Sequence, residues 1–184
     1  HYRARRQRQM CIRDRILTAP DPFLKQISKP VDEVTKEIQD LMDDMLDTMY
    51  DAPGIGLAAV QIGVPLRVIV MDISWRNEEG IKEPLYFVNP EITVKTKNLS
   101  TYEEGCLSVP DQYAEIDRPE ECEINFLDYN GKKSTLNAKG LLATCIQHEM
   151  DHLEGILFID HLSNMKRNMI VKTVSYTHLR AHET

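Results

Sequence analysis

The stretch CIQHEMDHLEG, residues 145–155, contains two histidines four positions apart, with a glutamate directly after the first. An α-helix turns once in about 3.6 residues, so His148 and His152 point to the same side and both imidazoles reach one cation. Glu149 lies about 100° around the helix from His148, where a carboxylate suits the role of a base acting on a metal-activated water. The spacing therefore predicts a metal site on a helix.

The apolar neighbours of this motif predict that the helix is buried. Ala143, Ile146 and Met150 surround the motif, and histidines buried among such residues need polar partners. The helical pattern runs over residues 140–154, and Gly155 is a suitable stop signal. The HExxH pattern alone leaves a second interpretation open, in which the two histidines simply share one helix face.

The third protein ligand distinguishes the classes of HExxH hydrolase. In the protease pattern HExxHxxGxxH a third histidine follows, and this chain keeps Gly155 but has Phe158 at that position. Other zinc proteases use a glutamate about 20 residues after the second histidine. Val171 and Lys172 stand there instead, so neither protease arrangement is complete.

Cysteine is the remaining ligand type. Cys106 lies in EEGCLSVP, between a glycine that allows close backbone approach and Pro110, which would stop a strand ladder. Cys145 precedes His152 by seven residues, about 10 Å along a helix, so one helix does not easily aim both at a single ion. Cys122 lies in an alternating strand pattern. Combining Cys106 with the two histidines leaves the open fourth position of a catalytic metal, although spacing favours it only modestly.

Length and composition indicate one globular domain between two unusual ends. The chain has 184 residues and four cysteines without a CxxC pair, which argues against a disulfide framework. Residues 1–15, HYRARRQRQMCIRDR, carry a local charge of +5, and residues 175–184, SYTHLRAHET, show no apolar pattern. We predict that both ends are non-native or disordered flanks of a single domain at residues 16–174.

Charge and hydropathy argue against two kinds of partner. Without the two ends, 22 Lys+Arg and 29 Asp+Glu become 15 and 27, so the core carries −12 rather than −7. An acidic core argues against direct nucleic-acid binding. No apolar run approaches the roughly 18 residues that span a bilayer, and no apolar stretch follows the N-terminal arginines as in a signal peptide. We therefore expect a cytoplasmic, soluble protein without membrane contact.

The pattern along the chain predicts an α+β fold. Apolar residues at helical spacing, among them Met42, Met45 and Met49, predict a core-facing helix over residues 32–50. A Gly-rich loop follows at residues 54–63, and it lacks the GxGxxG of a nucleotide site. Asn130-Gly131 predicts a hairpin turn, and Leu162 to Val174 a last amphipathic helix. Strand patterns occupy residues 66–73, 86–90, 91–97, 121–128 and 134–138.

Three segments resemble, in order, the signature motifs of the peptide deformylases: GIGLAAVQIG (54–63), EGCLSVP (104–110) and QHEMDHLEG (147–155). The likeness extends over residues 16–174. It implies antiparallel β-sheets packed around a central helix that bears HExxH, with an N-terminal and a C-terminal helix. It also implies a hydrolase that removes the N-formyl group from the initiator methionine of newly made proteins and releases formate. Its partners would be formyl-methionyl nascent peptides and, near the exit tunnel, the ribosome.

The resemblance assigns a metal site. It implies that Cys106, His148 and His152 bind one divalent ion, with water as the fourth ligand. Ferrous iron is the usual metal of the family, and Zn²⁺ or Ni²⁺ also occupies such sites. A thiolate donor is compatible with all three, so the residues do not choose between them.

The resemblance also assigns catalytic and substrate-binding roles. Glu149 would carry the proton, while the side-chain amide of Gln61 and the backbone N–H of Leu107 would stabilise the oxyanion. Arg118 would pair with Glu104. Tyr113 departs from the pattern, because some members have an arginine there that holds the peptide backbone. The substrate-binding residues implied are Gly54, Ile55, Gly56, Leu107, Glu104 and Tyr113.

Two alternatives stand beside the deformylase interpretation. A zinc metalloendopeptidase of the HExxH type is disfavoured by Phe158 and by the missing downstream acid. An inactive, metal-stabilised binding module is disfavoured because Glu149 and Gln61 are both present.

Overall fold

The structure is a computed structural model that describes residues 16–181. Its α-helices over that range are α1 (Lys36–Asp51), α2 (Gly140–Leu153) and α3 (Asn164–Ala181). Its strands over the same range are β1 (Gly56–Ala58), β2 (Val68–Met71), β3 (Leu85–Lys95), β4 (Leu99–Cys106), β5 (Val109–Pro119), β6 (Glu121–Leu127) and β7 (Lys133–Lys139). The flank predicted at residues 1–15 lies outside the described residues.

Two antiparallel sheets and the helices confirm the predicted α+β class. One sheet has five strands in the order β1-β2-β3-β6-β7, and β4 and β5 form a separate hairpin. Helix α2 packs against β1, β7 and the β4–β5 hairpin. Ile146 and Leu153 of α2 are buried with Ile69, Phe87 and Ile124 of the larger sheet. The residues of α2 therefore meet both sheets.

Helix α1 packs its methionines against β1 and β2 of the larger sheet. Met42, Met45 and Met49 are fully buried and pack with sheet residues such as Val68. This confirms that the methionine stripe serves core packing. The helix begins later than predicted, because Thr35 accepts a hydrogen bond from the backbone N–H of Ile38 and thereby caps the first turn.

The β4–β5 hairpin is an element that the apolar pattern did not predict. Its strands meet in a two-residue turn directly after Cys106, which pairs with Val109. The ladder then breaks at Pro110 and resumes where Tyr113 lies opposite Gly105. Proline has no N–H, so the irregularity places it where no ladder donor is required. The expected interruption at Pro110 is therefore present, but the strand continues beyond it.

The N-terminal segment is attached to the residues that will form the site. The backbone N–H of Leu17 donates to the carbonyl of Gln61 at 2.8 Å, and the N–H of Ala19 donates to the carbonyl of Ser108 at 2.8 Å. Gln61 lies in a short 3₁₀ turn, Ala59–Ile62, directly after β1. The predicted Gly-rich loop at residues 54–63 is thus mostly ordered secondary structure.

Gly155 ends α2 as predicted, and its position also depends on the lack of a side chain. Its φ is +71°, and a Cβ there would lie 2.7 Å from the carbonyl carbon of Lys25. A side chain would therefore be strained in its backbone and would collide with the N-terminal segment.

Helix α3 is longer than predicted. It begins at Asn164 and continues to Ala181, so the helix end predicted at Val174 is wrong and residues 175–181 are helical. The domain boundary after residue 174 stays a prediction. Val174 itself is buried against the short turn Phe158–His161 and its neighbours. Among the described residues no helix is both long and apolar enough to span a membrane.

Candidate active site

The structure brings Cys106, His148 and His152 together. Their ligand atoms lie within 4.8 Å of one another, and Sγ of Cys106 is 3.3 Å from Nε2 of His152. Cys106 ends β4, whereas the two histidines lie one turn apart on α2. One sulfur and two imidazole nitrogens form a donor set that suits a divalent transition metal and leaves a fourth position for a reacting molecule.

Glu104 orients one of the two imidazoles. Its Oε2 is 2.8 Å from Nδ1 of His148, which leaves Nε2 of that ring for a cation. Burial alone would raise the pKa of Glu104, but its hydrogen bonds with His148 and Arg118 hold the pKa below its ordinary value. An ionised carboxylate behind a ligand histidine fixes the ring and increases its basicity.

The two histidines hold protons differently. Burial lowers the pKa of His152 well below its ordinary value, and the neighbouring His148 lowers it further, so the ring stays neutral and one of its nitrogens is available as a ligand. Burial would also lower the pKa of His148, but contacts with Cys106 and Glu104 raise it well above the ordinary value. Metal binding to this set therefore competes with a proton on His148.

Glu149 lies beside this donor set with an unpartnered carboxylate oxygen. The side chain is 4% exposed, and its Oε2 has no hydrogen-bond partner among the described residues. Because burial disfavours the charged form, the pKa of Glu149 rises to about 7. Gly56 makes room for it, since a Cβ at Gly56 would lie 2.9 Å from Cδ of Glu149. A carboxyl group of this kind exchanges protons readily near neutral pH.

Gln61 is fixed so that its amide nitrogen faces the metal-ligand group. Its Oε1 accepts a hydrogen bond from the backbone N–H of Ala58 at 2.9 Å. Because that partner is a donor, the amide must present Nε2 on the other side. Nε2 donates to Oγ of Ser108 at 3.0 Å and lies 3.6 Å from Sγ of Cys106. Leu107, whose backbone N–H was the other predicted donor, lies between Cys106 and Ser108 in the hairpin turn.

The other two described cysteines are not part of this group of ligand atoms. Sγ of Cys145 is 4.0 Å from the carbonyl oxygen of Ile55, and burial raises its pKa well above the ordinary value of a thiol. Cys122 is buried on β6 among the apolar core residues, and burial raises its pKa as well. Both are packed thiols, and the choice of Cys106 as the sulfur ligand agrees with the geometry.

A cleft of about 500 Å³ opens onto these groups. One wall is the segment around Gly54 to Gly56, the second is the β4–β5 hairpin, and the floor is α2. The predicted substrate-binding residues Gly54, Ile55, Gly56, Glu104, Leu107 and Tyr113 all line it. Tyr113 is 64% exposed, and its ring lies over Gly105. A cleft walled by backbone with glycines suits an extended peptide.

The family follows from a comparison with known proteins. A profile described as Polypeptide deformylase matches residues 13–168. The chain belongs to the polypeptide deformylase family. A peptide deformylase from Pelagibacter ubique is 69% identical over 160 residues, which span 87% of this chain and 92% of the relative.

Solved deformylase structures share the fold. A peptide deformylase from Legionella pneumophila is 45% identical, with a TM-score of 0.83 over 91% of this chain and 96% of that one. A peptide deformylase from Ehrlichia chaffeensis, in complex with actinonin, is 40% identical, with a TM-score of 0.84 over 89% of this chain and 96% of that one.

Membership in the deformylase family decides the activity. The chain is a metal-dependent hydrolase that removes the formyl group from nascent peptides. This confirms the predicted reaction and decides against the zinc endopeptidase and the inactive binding module. The predicted Cys–His–His group is present in the fold of this deformylase, with ligand atoms close enough for one ion.

The network behind the metal-ligand group was only partly predicted. Arg118 pairs with Glu104 as expected: Nε donates to Oε1 at 2.5 Å and Nη2 donates to Oε2 at 3.0 Å. Both side chains are buried. Arg118 also donates to Asp151 at 2.9 Å, and His161 lies 2.8 Å from the same carboxylate. These last contacts join residues from three elements and leave no mark in local sequence spacing.

Proposed function

We propose that Glu149 is the general acid and base of this deformylase, acting beside one divalent cation held by Cys106, His148 and His152. The observation that carries the assignment is the buried carboxylate oxygen of Glu149, which has no described hydrogen-bond partner and lies on the turn of α2 that bears both histidines. A buried polar atom of this kind is costly unless a ligand or a reacting molecule completes it.

Glu149 accounts for the proton balance of the reaction. A bound cation supplies Lewis acidity, which polarises the formyl carbonyl and makes water easier to deprotonate. Oε2 of Glu149 takes the proton from the attacking water, and the same carboxyl group then delivers it to the nitrogen of the departing peptide. The raised pKa of Glu149, about 7, matches both roles.

Two donors on the cleft wall stabilise the charge that develops on the formyl oxygen. These are Nε2 of Gln61, whose orientation the N–H of Ala58 fixes, and the backbone N–H of Leu107. A pre-oriented donor of this type contributes about 2.7–4 kcal/mol to barrier lowering. Ser108 already accepts a hydrogen bond from Gln61 and holds the amide in place before the substrate arrives.

The peptide binds as an extended chain along the cleft. Gly54 and Gly56 leave backbone groups uncovered by side chains, so the substrate adds alongside this segment as a further strand. Ile55 and Leu107 line the cleft and supply apolar surface for the methionine side chain. Tyr113 contacts residues beyond the methionine at the exposed rim.

The metal and the cellular setting follow from the donor set and the substrate. We assign ferrous iron, because thiolate and imidazole ligands accept Fe²⁺ as well as Zn²⁺ or Ni²⁺ and iron is the expected metal of this family. Since the substrates are nascent chains, we place the enzyme in the cytoplasm and near the ribosomal exit tunnel. Metal analysis of protein purified without oxygen, coupled to a formate-release assay, tests the assignment of iron.

The role of Glu149 is tested by Glu149→Gln, which keeps the shape of the side chain and removes the proton transfer. We expect kcat for formate release to fall by about 10²–10⁴-fold with unchanged metal content. Glu154→Gln is the control: it removes an exposed carboxylate just beyond the same helix, which pairs with Arg67 rather than with the site, and should stay within about twofold. Retained turnover in Glu149→Gln would disprove the assignment.

The sulfur ligand is tested separately. Cys106→Ser should lose bound metal, whereas Cys145→Ser should retain it, because Cys145 lies against the carbonyl of Ile55. Metal loss in the Cys145 variant alone would show that the ligand set is wrong.

A further inference from the structure

The loop at residues 72–84, between β2 and β3, is held in shape by one buried carboxylate. Asp72 accepts a hydrogen bond from the hydroxyl of Tyr50 at 2.6 Å. It also accepts bonds from the backbone N–H groups of Ser74 and Glu83, each at 2.9 Å, which lie near opposite ends of the loop. A fully buried carboxylate with several donors closes the loop at its base, so the residues between have a defined position.

Trp75 joins this loop to the wall of the substrate cleft. Its Nε1 donates to the carbonyl of Gly54 at 3.0 Å. Its ring meets Tyr50 edge-on, with centroids 5.2 Å apart, and Lys82 lies over the Tyr50 ring at 4.1 Å. Because Gly54 lines the cleft, the loop is connected to the segment on which the peptide lies.

Arg76 follows Trp75 and lines the same cleft. Of the described residues that line it, Arg76 alone is a lysine or arginine, and no ion pair to its guanidinium is formed within residues 16–181. The hairpin on the cleft's other wall contributes the exposed carboxylates Glu103 and Asp111. The cleft therefore has a cation on one wall and negative charge on the other.

We propose that Arg76 determines specificity, favouring peptides that carry an acidic side chain within the two residues after the formyl-methionine. The inference rests on the proposed function, since it requires the peptide to occupy this cleft. Successive side chains of an extended peptide point to opposite sides, so one of these two positions faces the loop wall. A guanidinium binds a carboxylate with two parallel hydrogen bonds, whereas Glu103 and Asp111 repel it from the other wall.

The charge of the whole molecule predicts the opposite preference. With a net charge of −7 the protein attracts basic peptides and repels acidic ones at long range. A preference for acidic peptides therefore needs a local cause inside the cleft, and Arg76 is the residue that provides one. The sign of the discrimination separates the two explanations.

The test compares wild type, Arg76→Gln and Lys133→Gln on formyl-Met peptides with Glu, Gln or Lys at the second or third position. Lys133 lies on β7 outside the cleft, so its substitution removes the same charge elsewhere. For wild type we expect kcat/KM for the better Glu peptide to exceed that of its Gln counterpart by up to about fivefold, which is 1 kcal/mol for an exposed pair. In Arg76→Gln this Glu/Gln ratio should fall to about 1, because KM for the Glu peptide rises while kcat stays the same.

Two further measurements make the outcome unambiguous. About 0.5 M salt should reduce the Glu/Gln ratio in wild type, because the pair is exposed. Trp75 is the single tryptophan of the chain, so an unchanged emission maximum in Arg76→Gln shows that the loop is intact.

Three results would overturn the proposal: equal ratios in wild type and Arg76→Gln, the same loss in Lys133→Gln, or a wild-type preference for Lys peptides. Failure of wild type to release formate from the Gln peptide would instead contradict the proposed function.

Discussion

Gly56→Ala tests whether the position of the Glu149 carboxylate limits the reaction. The backbone at Gly56 lies outside the left-handed region, so alanine is compatible with its conformation. The added Cβ would lie 2.9 Å from Cδ and 3.1 Å from Cγ of Glu149, where ordinary contacts begin at 3.4 Å, and the carboxylate oxygen would be closer still. Glu149 is buried on a packed helix, so its side chain has to move within the site.

The expected loss follows from that displacement. Moving the carboxylate by on the order of 1 Å costs up to about 100-fold in rate when the group must meet both the water and the leaving nitrogen. We therefore expect kcat/KM for formate release to fall about 100-fold. Metal content should be unchanged, because the three atoms nearest to the added Cβ all belong to Glu149 and not to a metal ligand. Stopped formate assays and metal analysis on the same preparation measure both quantities.

A matched control separates this effect from general damage to the cleft wall. Gly54→Ala adds the same methyl group two residues earlier, where the three nearest atoms all belong to the side chain of Leu107, with Cδ1 at 2.8 Å. That side chain can rotate away, so the loss in kcat should be well below that of Gly56→Ala. Wild-type turnover in Gly56→Ala, or equal losses in the two variants, would refute the placement of Glu149 as the limiting group.

Three further predictions concern the framework around the site. Glu104→Gln should weaken metal binding about 10–100-fold in a chelator competition, because it removes the ionised carboxylate behind a ligand histidine. Gly155→Ala should lower the free energy of unfolding by at least about 1–2 kcal/mol in urea titrations, since φ is +71° and the new Cβ meets the backbone of Lys25. Burial alone would raise the pKa of Asp160, but bonds from the Leu157 N–H and Lys25 hold it below its ordinary value. The free energy of unfolding of wild type should therefore exceed that of Asp160→Asn at neutral pH, and this difference should disappear as the pH falls through the lowered pKa. A constant difference down to low pH would contradict this prediction.

The parts of the fold that sequence reasoning predicted are those with apolar periodicity. The methionines of α1 and the apolar residues around the HEMDH motif repeat at helical spacing, so both helices were expected. The β4–β5 hairpin was missed because its inward-facing pair is charged: Glu104 and Arg118 are buried against each other where an apolar alternation would normally appear. Apart from this ion pair, only two apolar residues of the hairpin are buried, Val109 and Ile116.

The ends of elements were predicted less well than their existence. Helix α3 continues past Val174 although SYTHLRA has no apolar stripe, because helix hydrogen bonds are local and polar residues do not prevent propagation. The start of α1 moved to Lys36, since the capping hydroxyl of Thr35 decides the first turn.

Spacing on one helix could predict two metal ligands but not the third. The helical period predicts that His148 and His152 share one face, whereas Cys106 lies next to a hairpin turn, 42 positions before the first histidine. Local sequence gave Cys106 only a small advantage over Cys145, and the resemblance to the deformylases made the choice. The geometry agrees, because it puts Sγ of Cys106 beside the imidazole of His152 and Sγ of Cys145 against a carbonyl.

The two amide bonds from Leu17 and Ala19 have a practical consequence for anyone who shortens or fuses this enzyme. They join the turn that contains Gln61 to the turn that contains Ser108. A segment with no reactive group of its own therefore stabilises this wall of the active site. Removing residues past Leu17 would therefore weaken the position of Gln61 and Ser108, although every catalytic residue would still be present in the chain.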